Sequence, residues 1–142
     1  MSLTSIFDIS GSGMNAQSVR LNTTASNIAN AQTASSSTGE VYRGRDPVFR
    51  TVYQGMNQGF AKDNSQAGVQ VAGIVERDTP LQARYEPHHP EADETGYVYY
   101  PNVNVVEEMT NMISASRSFQ VNVDVMNSAK QMMQRVLTLG QS

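Results

Sequence analysis

Large apolar residues recur every seven positions at both ends of the chain. Phe7, Met14, Leu21 and Ile28 form one series, with small Ser18 and Ala25 at the intervening offsets. Val105, Met112, Phe119, Met126 and Met133 form the other, interleaved with Met109, Ser116, Val123 and Leu137. A seven-residue apolar repeat lays one narrow seam along a helix, and such a seam needs a partner. The pattern predicts a helix starting between Ile6 and Ser10 and ending near Ala29, and a second over Val105–Leu139, stopped by Gly140. Asn104 in the capping position with Glu107 three residues on marks the start of the second helix. The fold class expected is mainly α: long N- and C-terminal helices pairing as a coiled coil around a small irregular β-containing middle segment. Their remaining faces are free for neighbouring copies.

The two helices differ in intrinsic strength. Gly11 and Gly13 weaken the first by about 1 kcal/mol each relative to Ala. Asn22, Thr23, Thr24, Ser26 and Asn27 compete for backbone hydrogen bonds, so this helix is marginal without packing. Asn30 is its C-cap, and residues 32–39 (QTASSSTG) read as linker. Between the helices, Val41-Tyr42, Val48–Tyr53, Gly68–Val75 and Gly96–Tyr100 are β-like, and five prolines forbid long strands. Two exposed loops are expected, Gly55–Gln66 and Pro80–Thr95. The division is therefore 1–34 and 102–142 as assembly helices, with 35–101 between them.

Charge sharpens this division. The net charge of −3 argues against nucleic-acid binding, and all of the net negative charge lies in the middle with all six tyrosines. Neutral ends bury easily against protein, whereas a charged, Tyr-bearing middle suits solvent and polar contact. The chain has no cysteine, so it has neither disulfides nor thiolate metal sites. Its first residues lack the basic and apolar regions of a secretory signal, and no run reaches a membrane span.

Candidate chemistry is thin. His88 and His89 sit among Glu86, Glu91, Asp93 and Glu94, which invites a metal or acid–base reading. Adjacent histidines bracketed by Pro87 and Pro90 cannot present both rings from one helix face, and a solvated acidic loop is the better reading. Gly11-x-Gly13 lacks the strand and third glycine of a dinucleotide loop. Asn22-Thr23-Thr24 matches a glycosylation acceptor inside a helical seam. Arg43, Arg45 and Arg50, near Asp46, are the basic cluster, either salt-bridged at the surface or facing an acidic neighbour. No nucleophile with a suitable base is found, so no catalytic residue, cofactor, metal or small-molecule substrate is expected.

Two stretches go beyond pattern. Ser12–Thr33, through Arg20-Leu21-Asn22, Ala25-Ser26-Asn27-Ile28-Ala29-Asn30 and Thr33, resembles the N-terminal signature of bacterial flagellar axial proteins, the rod, hook and hook-junction subunits. Tyr100-Pro101-Asn102-Val103-Asn104, Glu108-Met109, Arg117-Ser118-Phe119-Gln120 and Asn122 resemble the C-terminal end of the proximal rod branch. Ala34 and a serine run follow Thr33 where axial relatives often have Gly, which fits that branch. The resemblance implies a structural subunit of the proximal rod of the flagellar basal body, polymerising through its terminal helices into a torque-transmitting shaft. It implies assembly contacts at Phe7, Met14, Leu21, Ala25, Ile28, Val105, Met109, Met112, Phe119, Val123, Met126, Met133 and Leu137. Asn22, Asn27 and Asn30 would bond across subunits. The implied partners are further copies, other rod proteins, neighbours on the MS-ring and export-gate side and towards the distal rod, and the type III export apparatus. Export without a cleaved signal follows from it, as does a first helix that orders only on assembly. The rivals are another axial subunit, a helical export adaptor or chaperone, and a hydrolase working through Glu86 or Glu91.

Overall fold

The computed structural model describes residues 3–54 and 66–140. Helix α1 (Leu3–Asn30) is followed by strands β1 (Arg45–Gln54), β2 (Gln66–Glu76), β3 (Gln82–Tyr85) and β4 (Tyr97–Tyr100), and by helix α2 (Val105–Leu139). The two long helices and the small β-containing middle agree with the expected class. The expectation that prolines forbid long strands is corrected: β1 runs for 10 residues through Pro47 and β2, which contains no proline, for 11. Strand β1 pairs with β2 and β3 with β4, giving two separate two-stranded antiparallel sheets. The expected loop at Gly55–Gln66 lies, but for Gln66, outside the described residues. The expected loop at Pro80–Thr95 contains strand β3 instead, because antiparallel pairing with Tyr97–Tyr100 satisfies its backbone.

The second helix keeps its predicted bounds. Its start is fixed by Asn104, whose Oδ1 accepts the backbone N–H of Val106 at 3.1 Å and of Glu107 at 3.5 Å. The first helix begins at Leu3, earlier than its glycines suggest. Gly13 has a packing reason: a Cβ there would lie 3.0 Å from Asn122 Oδ1. At its other end Thr33 closes the helix, the hydroxyl donating to Asn30 O at 2.8 Å. The linker beyond is pinned to β4 by reciprocal backbone bonds between Ser35 and Tyr99.

Contacts divide the chain into two compact units. One comprises Met1–Val19, Val48–Gly73 and Ser114–Ser142; the other comprises Arg20–Pro47 and Ile74–Ile113. In the first, Ser12 Oγ on α1 accepts the Val69 N–H of β2 at 3.1 Å, and Arg50 donates to Gln70 Oε1 at 3.0 Å. In the second lie the β3–β4 hairpin and a polar centre. Among the described residues the largest fully buried side chains are Glu108, Val98, Asn27 and Pro101. Two of these four are polar, so this unit is organised around hydrogen bonds as much as around apolar contact.

The β3–β4 hairpin is closed by a side chain. Asp93 Oδ1 accepts the N–H of Thr95 at 2.9 Å, the Thr95 hydroxyl at 2.7 Å and the N–H of Tyr97 at 2.9 Å. Gly96 follows at φ 84°, where an added Cβ would meet the Tyr85 ring at 2.8 Å. Gly96→Ala should therefore destabilise the protein by about 1–3 kcal/mol, read from urea unfolding. The Asp93 carboxyl is held below its ordinary value, chiefly by the Thr95 hydroxyl and then by the Tyr97 N–H. A depressed pKa stabilises the turn above the ordinary carboxylate range and loses that contribution only as pH falls through the depressed value. Thr95 and Tyr97 amide resonances should stay fixed from neutral pH down to the ordinary aspartate value and shift only below it.

Candidate assembly surfaces

Which helix faces remain available for assembly follows from burial. In α2, Glu108, Ala115 and Ala129 are buried and Met112, Phe119, Asn122, Met126 and Met133 half-buried. These eight residues alternate in steps of four and three, as a heptad stripe does. The recurring Met112, Phe119, Met126 and Met133 are all half-buried. Glu108 and Ala115 are buried where the interleaving Met109 and Ser116 are exposed, while Asn122 and Val123 are both half-buried. On α1 buried Ala16, Thr23 and Asn27 join half-buried Gly13 and Arg20, a line one residue before the series Met14, Leu21 and Ile28. Small and polar side chains thus take the inner line, because they allow close approach and are tied by hydrogen bonds. Arg20 donates to Asn111 Oδ1 at 2.9 Å, and Asn27 to Glu108 Oε2 at 3.1 Å.

Large apolar residues stay outside as a result. On α2, Val106, Met109, Ile113, Val121, Val136 and Leu139 are each more than half exposed. Phe7, Met14, Leu21, Ile28, Val105, Met112, Phe119, Val123, Met126 and Met133 are half-buried, while Ala25, Met109 and Leu137 are exposed. No helix among the described residues is long and apolar enough to cross a membrane.

The asparagines separate. Asn22 is exposed on α1, and the Asn30 amide donates back to Ser26 O at 2.9 Å. Asn27 is buried, with all four hydrogen-bonding positions of its amide occupied inside the chain. Its Nδ2 donates to Arg45 O at 2.8 Å and to Glu108 Oε2, and its Oδ1 accepts the Tyr42 hydroxyl at 2.8 Å and the Arg45 N–H at 2.9 Å. The expectation that Asn27 bonds across subunits is corrected here, since a saturated amide has nothing left to offer a neighbour.

Glu108 completes this centre. Its Oε1 accepts Arg77 at 2.6 Å, and Arg77 grips Asp46 with two bonds of 2.6 and 2.7 Å. The bidentate contact with Asp46 holds the Arg77 guanidinium above its ordinary pKa, with Glu108 adding to it and partial burial opposing it. Asn102 bridges nearby, accepting the Gly44 N–H at 2.8 Å and donating to Arg77 O at 3.0 Å. Sequence reasoning missed Arg77 and the burial of Glu108. It placed Asp46 beside the basic cluster, but Asp46 pairs with Arg77, and Arg45 pairs with Glu76 at 3.0 Å. The loop histidines are not gathered: among the described residues no three His, Cys, Asp or Glu side chains stand together as metal ligands.

Comparison with known proteins follows the same partition of the chain. The family described as "Flagella basal body rod protein" matches residues 7–34, and "Flagellar basal body rod FlgEFG protein C-terminal" matches residues 94–139. The chain is 47% identical over 141 residues to flagellar basal-body rod protein FlgC of Salmonella typhimurium, covering 99% of this chain and 100% of that protein. It is 48% identical over the same span to the protein of that name in Escherichia coli O157:H7. With the FlgC protein of Borreliella burgdorferi it shares 37% identity over 149 residues and 98% of each chain.

The buried ion pair generates a test. Arg77→Met leaves Glu108 buried without its cation and should cost about 3–5 kcal/mol, whereas replacing Arg77 and Glu108 together by Met and Leu should cost much less. Equal losses for the single and double substitutions in urea titrations would disprove this coupling.

Proposed function

The chain belongs to the FlgC family of flagellar basal-body rod proteins, structural subunits rather than enzymes, and we propose that it builds the proximal part of the rod by polymerising through its terminal helices. The observation that carries this reading is the apolar surface left on α2. Val106 is 73% exposed, Ile113 58%, Val136 61% and Leu139 76%. A helix of 35 residues with so much unburied aliphatic surface gains free energy by docking on protein, at about 25 cal/mol per Å² removed from water. The helices near residues 1–34 and 102–142 then form coiled-coil layers of a tube wall, and the segment at 35–101 carries the polar contacts. Rigidity for torque comes from close packing of that wall.

Partners follow from the family: assembly with other rod and basal-body proteins. In the finer reading these are further copies, the MS-ring and export-gate side, and the distal rod. The site is the flagellar basal body, reached across the periplasm through the type III export apparatus without a cleaved signal. Phe7, Met14, Leu21, Ile28, Met112, Phe119, Val123, Met126 and Met133 are the edges of the seam, and Met109 and Leu137 are its exposed knobs. Seven-residue spacing of half-buried residues supports this, because each keeps part of its surface for a neighbour.

Salt- and alkali-stripped hook–basal bodies should contain this chain in fixed ratio to other rod proteins when analysed by mass spectrometry. Val136→Asp should leave urea stability within about 0.5 kcal/mol, as exposed substitutions do. The same substitution should remove the chain from the basal bodies and abolish swimming. Normal motility of that variant would contradict assembly through the outer face of α2.

A further inference from the structure

The β3–β4 hairpin carries an outward face with no role in its own unit. Strand alternation sends Val98 inward, fully buried, and places Tyr85 and its register partner Tyr97 on the opposite face. These two rings meet edge to face at 5.4 Å and are 64% and 42% exposed. Turn bonds around Asp93 and the positive φ of Gly96 fix them in place, so little ordering entropy remains to be lost on docking. Rigid exposed aromatics are the side chains that anchor interfaces.

Charge states what fits there. Glu91 and Glu94, in the connection between β3 and β4, are exposed and make no ion pair among the described residues. Arg84, the hairpin's one Lys or Arg, lies over the Tyr100 ring at 4.7 Å, on the Val98 side of the alternation. The complementary chemistry is an apolar patch bearing an uncompensated cation, and the chain holds one on β1. Strand alternation places Val48, 43% exposed, on the same face of β1 as exposed Arg50, with Phe49 on the other face. Arg50 meets only the neutral amide of Gln70, with no carboxylate among the described residues.

We propose that the Tyr85–Tyr97 face of one copy docks on the Val48–Arg50 face of β1 in the next copy in the rod, with Glu91 and Glu94 facing Arg50. The inference rests on the rod reading above. Two different surfaces meet, so the contact is heterologous and repeats head to tail, as an open helical shaft requires. Acid against acid or arginine against arginine is repelled, so the alternative self-pairings of either surface are disfavoured.

The test uses charge reversal in the full-length chain in motile cells. Glu91→Lys with Glu94→Lys should lower the amount of chain in purified basal bodies by about tenfold or more, and adding Arg50→Glu should restore it to within about twofold, given coupling of 1.4 kcal/mol per tenfold. A photo-reactive phenylalanine at position 85 should cross-link to the peptide containing Val48 and Arg50 of a second copy. Full incorporation of the double lysine variant, failure of Arg50→Glu to rescue, or cross-linking to a different rod protein would each overturn the inference while leaving the rod reading intact. Absence of the wild-type chain from basal bodies would overturn both.

Discussion

A carboxylate with 1% of its side chain exposed, Glu108, is the constraint around which its half of the molecule is arranged. A charge in that position is tolerated only with a cation and further donors. Arg77 supplies the cation from the residue after β2, and Asn27 supplies an amide from the last turns of α1. Each recruits others in turn: Arg77 is held by Asp46, and Asn27 binds the backbone of Arg45 and the Tyr42 hydroxyl. One buried oxygen pair thereby ties two helices and the entry and exit of the β1–β2 sheet into a single register. Such a network adds little net stability compared with a hydrophobic substitute, but few alternative packings satisfy every member, and it selects one arrangement.

That choice has a consequence for the surface. The lines filled by Gly13, Ala16, Thr23, Asn27, Glu108, Ala115 and Asn122 leave Met14, Ile28, Met109 and Val121 one position away, about 100° round each helix, and Val106 and Ile113 two positions away. A self-sufficient domain would reverse this, placing Val106, Ile113 and Val136 inside and the small residues at the rim. Polar locking within the subunit and apolar contact outside it divide two tasks that a single seam could not perform together. The lock fixes one packing of its own unit; in the proposed assembly the exposed stripe supplies the free energy of docking.

Much of this was legible in the sequence. The bounds of α2, its Asn104 cap, the linker after α1 and the series Met112, Phe119, Met126, Met133 all follow from local rules. The phase of the interleaved positions does not, because periodicity weighs large side chains and the inner line is made of small and polar ones. Arg77 reads locally as part of a turn with Asp78 and Pro80. Its role depends on partners 31 residues away in either direction, Asp46 and Glu108. Strand β3 is four exposed residues beside a Pro-rich loop, with no alternation to betray it; only pairing with β4 defines it. Asn27 was placed correctly on the seam motif but its direction was not, since an amide can serve a neighbour or the interior equally well.

The middle segment gains meaning from the same division. Helices that pack by aliphatic contact along a seven-residue repeat can slip by one repeat with small loss, because every heptad resembles the next. A second contact at a different radius, built from rigid rings and opposite charges, removes that freedom. In the proposed contact the Tyr85–Tyr97 pair supplies fixed geometry, and Glu91 and Glu94 oppose Arg50, which meets no carboxylate among the described residues. In the proposed assembly, apolar seams supply cohesion and the polar surface between them sets the register in which cohesion acts.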